Sequence, residues 1–152
     1  MARPSSSDLL KIDNLLCFAL YSAGHSFTRL YKPMLEPLGL TYPQFLVMIA
    51  LWESDGLTVS DIGEKLLLES STLTPLLKRL ETAGLIKRAR DKEDERVVRI
   101  TLTRQGAALK DKAAAIPEAI GCATNLTVGD VKKLATEVTA LRKTLQSALA
   151  AN

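Results

Sequence analysis

A mostly α fold, a winged helix-turn-helix with a two-stranded β wing and a helical region formed by its N- and C-terminal helices, follows from three features. Between Leu57 and Arg104, a short helical stretch, a tight turn and a second helical stretch with polar residues along its leading end follow one another. Two short basic strand-like runs come next. On both sides of this segment, apolar residues recur at helical spacing. No internal repeat, low-complexity tract or inter-domain linker divides the chain, which reads as one domain over residues 1–152.

From Ser7 to about Leu35, residues Leu9, Ile12, Leu15, Leu16, Ala19, Leu20, Ala23, Phe27, Leu30 and Tyr31 predict one long helix with Ser7 as its N-cap. Pro33, Pro37 and Gly39 end or kink it. Thr41-Tyr42-Pro43 opens a strongly apolar core helix to about Glu53, stopped by Ser54-Asp55-Gly56. Thr58 and Asp61 form a capping box for a short helix to about Leu66, and Leu67 to Glu69 make the turn. The next helix runs from near Ser70 to Ala83, with Leu73, Leu76, Leu77 and Leu80 inward and Gly84 in the left-handed cap position. Pro75 lacks a backbone donor, so a late or distorted start is expected there. Leu85–Arg90 and Val97–Leu102 are the strands of the wing, with a charged tip from Asp91 to Arg96. Thr103 caps a helix to about Ala115, Pro117 and Gly121 mark a kink or break, and Thr127 caps a last amphipathic helix.

Composition bounds the function. With 47% apolar and 24% charged residues, the 152-residue chain can build a core, or its long helices can bury their faces against a second subunit. The formal net charge of +3 excludes a general polycation, so a nucleic-acid surface has to come from where Lys and Arg sit. The longest apolar run, Phe45–Trp52, is far short of the roughly 20 residues that span a bilayer, and no membrane association is expected. Two cysteines suit a reducing compartment, read as the cytoplasm. The single histidine, His25, has no metal-ligand spacing with either cysteine, and no cofactor motif is present.

The central segment suits DNA. A helix fits the major groove, and short polar side chains at its leading end approach base edges and phosphates; Ser70, Ser71, Thr72, Thr74 and Lys78 meet that description. In the wing, Arg88 and Arg90 can neutralise phosphates, and Arg96 at the tip suits a narrow minor groove, its orientation held by Asp94. Alone, a charged hairpin is a solvated edge and a Ser/Thr cluster is a cap. Together, in this order and at these lengths, they point to a DNA reader of about residues 43–104.

The run from Leu66 to Arg88, LLLESSTLTPLLKRLETAGLIKR, followed by Asp94-Glu95-Arg96 and Leu102-Thr103-Arg104-Gln105-Gly106, resembles the MarR-type transcriptional regulators over nearly the whole chain. The resemblance implies a repressor rather than an enzyme. It also implies a homodimer held by helical regions of about 7–40 and 107–152, with each winged module on one half of a palindromic double-stranded operator.

Within that family, Cys17, Cys122, Tyr31 and Tyr42 resemble the pattern of the two-cysteine organic hydroperoxide resistance regulators. The resemblance implies that Cys17 reacts with an organic hydroperoxide and that Cys122 then closes an intersubunit disulfide, releasing the operator. Tyrosine hydroxyls that donate hydrogen bonds to sulfur stabilise the thiolate the attack requires. In a continuous helix, Cys17 and Tyr31 lie about 21 Å apart along the axis, so Tyr31 and Tyr42 would serve the partner's sulfur across an antiparallel crossing. Leu16, Phe18, Leu20, Phe45 and Met48 would then line the pocket, or be ordinary core. Cys17 also reads as a buried small hydrophobe, and Tyr31 and Tyr42 as core tyrosines. Two other functions stay open: a repressor released by a small phenolic ligand with passive cysteines, and a thiol peroxidase.

Overall fold

In the computed structural model of the chain, which describes residues 6–151, the N-terminal stretch is not one helix. A short helix α1, Ser6–Leu9, is followed by a 3-10 turn at Ile12–Asn14, and a new helix α2 runs Leu16–Leu35. Local polar groups explain the break. The Asn14 side chain donates to the Asp8 carbonyl at 2.9 Å and Lys11 pairs with the Asp8 carboxylate at 2.8 Å, so side chains compete with the helix for its backbone. Ser7 therefore lies inside α1 rather than capping a long helix. The break puts Cys17 in the first turn of α2, where the sequence had it deep within a helix. Pro33 is tolerated near the end of α2, and a 3-10 turn at Glu36–Leu38 closes on Gly39 at φ 69°, where glycine has no Cβ to clash.

Threonine caps then set out the rest. Helix α3 (Tyr42–Glu53) is opened by Thr41 and Gln44, and α4 (Val59–Leu66) by Thr58 and Asp61, each as a reciprocal capping box. The turn after α4 forces Leu67 into the left-handed region at φ 56°, and the Leu68 amide reaches the Gly63 carbonyl at 2.9 Å. Helix α5 (Ser70–Thr82) starts at Ser70 with no late entry, although Pro75 lies inside it. The carbonyl that Pro75 leaves without its helical donor belongs to Ser71, an exposed residue, where water can replace the lost bond. Leu73, Leu76, Leu77 and Leu80 are buried.

The wing is an antiparallel pair, β1 (Ile86–Arg90) and β2 (Val98–Leu102), in the register Ile86 with Leu102 and Arg90 with Val98. Sequence reading missed a third participant. Thr58 bridges to Arg99, and the Ile100 amide donates to the Leu57 carbonyl at 2.8 Å, tying β2 to the loop before α4. Helix α6 (Arg104–Ala113) starts from the expected Thr103 cap. The core of this unit joins Phe45, Val47, Met48 and Leu51 of α3 with Ile62, Leu77, Leu80, Ile86 and Ile100, each at most 2% exposed. Trp52 donates its indole N–H to the Gly106 carbonyl at 2.9 Å, linking α3 to α6.

The chain divides into two compact units after Ala114. The second contains α7 (Ile116–Thr124), with Pro117 in its first turn, and α8 (Val128–Ala150), opened by the expected cap Thr127 with Asp130. The expected break falls before Ile116, whereas Gly121 stays helical inside α7. No single helix among the described residues is long and apolar enough to cross a membrane.

Candidate nucleic-acid interface

The leading end of α5 presents Ser70, Ser71, Thr72, Thr74 and Lys78 on its exposed face, opposite its buried leucines. Glu69 occupies the N-cap without a side-chain hydrogen bond, so no side chain of the cap residue occupies the first amides of this helix. By contrast, threonine side chains cap α3, α4, α6 and α8.

A groove of about 420 Å³ runs between the N-terminal ends of α4 and α5 and the wing, bringing Ser70, Thr74, Arg88 and Arg96 together. It also takes in Thr58 and Ser60, which the sequence reading did not place there. The signal was present: the Thr58–Asp61 box marks the start of α4, and in a helix-turn-helix the first helix crosses the DNA backbone near the second. Arg90 lies elsewhere, in a depression on the hairpin with Asp91, Lys92, Glu93 and Arg99.

The charges of the wing are not all equivalent. Arg88 is committed to Glu81: its Nε and Nη2 each reach Oε2 at 2.8 Å and its backbone amide reaches Oε1 at 3.2 Å, fastening β1 to α5. The Arg88 guanidinium and then its amide hold the Glu81 carboxyl below the usual glutamate range. Asp94 acts on Arg96 through the backbone, accepting its amide at 3.0 Å rather than gripping its guanidinium. Among the acidic residues of the hairpin tip, the one that grips an arginine side chain is Asp91. Its Oδ2 takes Arg99 Nε at 3.0 Å and Nη2 at 2.6 Å, while Arg99 Nη1 donates to the Gly56 carbonyl at 2.7 Å. The Glu93 amide, and after it the Arg99 guanidinium, hold the Asp91 carboxyl below the usual range.

Tyr31 of α2 and Tyr42 of α3 lie side by side with ring centroids 4.7 Å apart, and Phe45 packs on Tyr31 at 5.9 Å. Burial, and then the neighbouring Tyr42 phenol, raise the Tyr31 hydroxyl above the ordinary tyrosine value, so it remains a proton donor. Cys17 is an exposed free thiol at the open N-terminus of α2, with no side-chain cap. It is fourteen residues, about 21 Å, from Tyr31 along one helix. Cys122 is an exposed free thiol in α7 of the second unit. Phe45 and Met48 are core residues, whereas Leu16, Phe18 and Leu20 are exposed. His25 is exposed and meets Tyr21 edge to face at 4.4 Å.

A reading helix, a preceding helix set across a short turn and a β wing define a winged-helix DNA-binding protein. The model of the SarA/Rot transcriptional regulators matches residues 29–113. The organic hydroperoxide resistance transcriptional regulator of Bacillus subtilis is 48% identical over 138 residues, 91% of this chain and 94% of that protein. The structure of reduced AbfR bound to DNA, a protein of Staphylococcus epidermidis, is similar with a TM-score of 0.76 at 37% identity, over 93% of this chain and 99% of that one. The disulfide-formed AbfR has a TM-score of 0.63 at 34% identity, over 89% and 95%. The chain belongs to the SarA/Rot and MarR-type winged-helix transcriptional regulators, and is not an enzyme.

Proposed function

We propose that this chain is a cytoplasmic, homodimeric repressor that leaves a palindromic operator when an organic hydroperoxide oxidises Cys17. The observation that carries this reading is the Tyr31–Tyr42 pair, half-buried and adjacent, with Cys17 of the same chain out of reach along the helix. Two phenols so placed suit a sulfur supplied by a second copy. The uncovered apolar side chains of α2 and of α8 support the same dimer, since Leu16, Phe18, Phe27, Val131, Leu134 and Val138 are all exposed in the chain alone.

The chemistry follows from thiolate reactivity. The Cys17 thiolate attacks one peroxide oxygen, the O–O bond breaks, and the departing alkoxide takes a proton and leaves as the alcohol. The resulting sulfenic acid condenses with the Cys122 thiol of the partner subunit, expelling water and forming a disulfide. A disulfide needs alpha carbons within about 7 Å, so closing it draws the subunits into a fixed spacing and shifts the two α5 helices relative to the operator half-sites. On the DNA, Ser70, Ser71, Thr72, Thr74 and Lys78 meet the major groove, Arg96 meets the minor groove beside it, Arg90 adds to the positive field, and Arg88, neutralised by Glu81, lines the groove between them.

The test uses a duplex selected from a random pool by the reduced protein. One equivalent of cumene hydroperoxide is expected to abolish binding by the wild type and to convert it to a disulfide-linked dimer, while Cys17→Ser stays bound. A Cys17→Ser protein that lets go as readily as wild type would sink the sensor. Release by a phenolic ligand, persisting without either thiol, would replace it with the ligand-gated reading.

A further inference from the structure

We propose that Asp91 and Arg99 form a positioning pair that sets the wing against the reading helices and so places Arg96 at a fixed distance from α5. The proposal rests on the reading of Arg96 as a DNA contact.

Arg99 has the geometry of a strut rather than a phosphate contact. Its three guanidinium nitrogens are all used within the chain, two on Asp91 and one on the Gly56 carbonyl in the loop between α3 and α4. Its backbone bridges to Thr58, the N-cap of α4, so main chain and side chain of one residue both fasten β2 to the helix-turn-helix. A planar fork that binds two acceptors on separate segments fixes an angle as well as a distance.

Asp91 extends this hold to the tip. Its side chain is only 17% exposed, and its Oδ1 takes the Glu93 amide at 2.9 Å. The Asp91 amide donates to the Val97 carbonyl at 2.8 Å, and the Val97 amide to the Asp94 carbonyl at 2.9 Å, closing the loop that contains Arg96. Arg99 therefore anchors the base of the loop whose far end presents Arg96, while Arg96 has only its amide tied, to Asp94. Without the pair, the hairpin keeps its strand register but its tip is free to swing, and Arg96 has to be ordered at the moment of binding.

This account and simple electrostatics expect opposite outcomes from one substitution. Asp91→Asn removes a negative charge beside the DNA surface, which Coulomb attraction alone turns into tighter binding. Positioning turns it into weaker binding, about threefold to fivefold, the upper reach of an exposed ion pair. Arg99→Lys keeps the charge, loses the fork and is expected to reproduce the loss. In an Arg96→Ala background neither change is expected to weaken binding further, because both act through Arg96.

The measurement is fluorescence anisotropy on the selected duplex and on a scrambled one, across a salt series, with a thermal melt of each variant. The expected result is a loss confined to the selected duplex, with the scrambled duplex bound as by wild type; a general folding defect would lower both. Asp91→Asn or Arg99→Lys binding at wild-type strength or tighter overturns the proposal, as does an undiminished loss on top of Arg96→Ala. Should Arg96→Ala itself bind with wild-type affinity and salt slope, the failure lies with the tip contact, and the proposal falls with it.

Discussion

The winged module and the terminal helices bury their apolar residues very differently. In the module, Val47, Met48, Ile62 and Ile100 have no exposed surface at all, and α3 is wrapped by α2, α4, α5 and α6. On α8, Val131, Leu134, Val138, Leu145 and Leu149 are exposed, and none of its residues is buried. The contrast separates the part of the chain that completes its own core from the part that leaves an apolar stripe uncovered. On the proposed dimer, this 23-residue helix with an apolar stripe open to water gains its packing from the second copy.

The largest effect is expected inside the closed region. A Cβ at position 106 would lie 1.9 Å from the Leu85 carbonyl oxygen, a backbone atom that cannot move without disturbing the wing. Gly106→Ala is therefore expected to cost about 3 kcal/mol in denaturant unfolding, typical of overpacking in a tight core. Wild-type stability in that variant would mean that the module is looser than its packing indicates.

On the open side, stability and assembly separate. Replacing Leu134 and Val138 together by lysine is expected to leave the module folded but to turn the dimer into a monomer in sedimentation experiments. Operator affinity is expected to fall about hundredfold, as specific two-site binding is lost. A dimer that survives both lysines would place the subunit contact elsewhere and dissolve the comparison.

The smallest effect concerns the clamp between α5 and the wing. The Glu81 carboxyl is held below its ordinary value of about 4.3 in the folded chain. Its stabilisation is thus fully present above that value and is lost as pH falls through the folded one. Glu81→Gln is expected to lower the melting temperature slightly at pH 7, and the gap to wild type is expected to close in strongly acidic buffer. A gap of constant size from neutral pH to pH 3 would assign the loss to something other than the charge.

Much of this architecture is readable because its signals are local. Thr41, Thr58, Thr103 and Thr127 each cap a helix with an acceptor or donor three residues away, so one glance along the chain finds them. The leucine face of α5 appears as expected, and the alternation of buried and exposed residues along β2 is an equally local signal. The misreadings come where local signals compete. Apolar periodicity across residues 9–31 suggested one helix, but Asp8, Lys11 and Asn14 make short-range bonds that break it before Leu16. Pro75 looked like a start signal, whereas the leucine stripe on both sides of it holds the helix in place.

The candidate site divides the same way. Ser70, Thr74 and Arg96 were recognisable from residue type and order, and they share one groove. That Arg88 is clamped to Glu81, and that Asp91 rather than Asp94 holds an arginine side chain, was not recognisable, because a charge run does not reveal its own pairing.

Sequence alone determined the threonine caps, the order of the elements from Thr41 onward, the wing and the polar face of the reading helix, since each depends on residues within one or two turns of one another. Only the tertiary structure decided that Tyr31 meets Tyr42, that Trp52 meets the Gly106 carbonyl 54 residues away, and that Arg99 reaches back 43 residues to Gly56. Such contacts depend on how whole elements pack, and no short stretch of sequence encodes the distance between two of them.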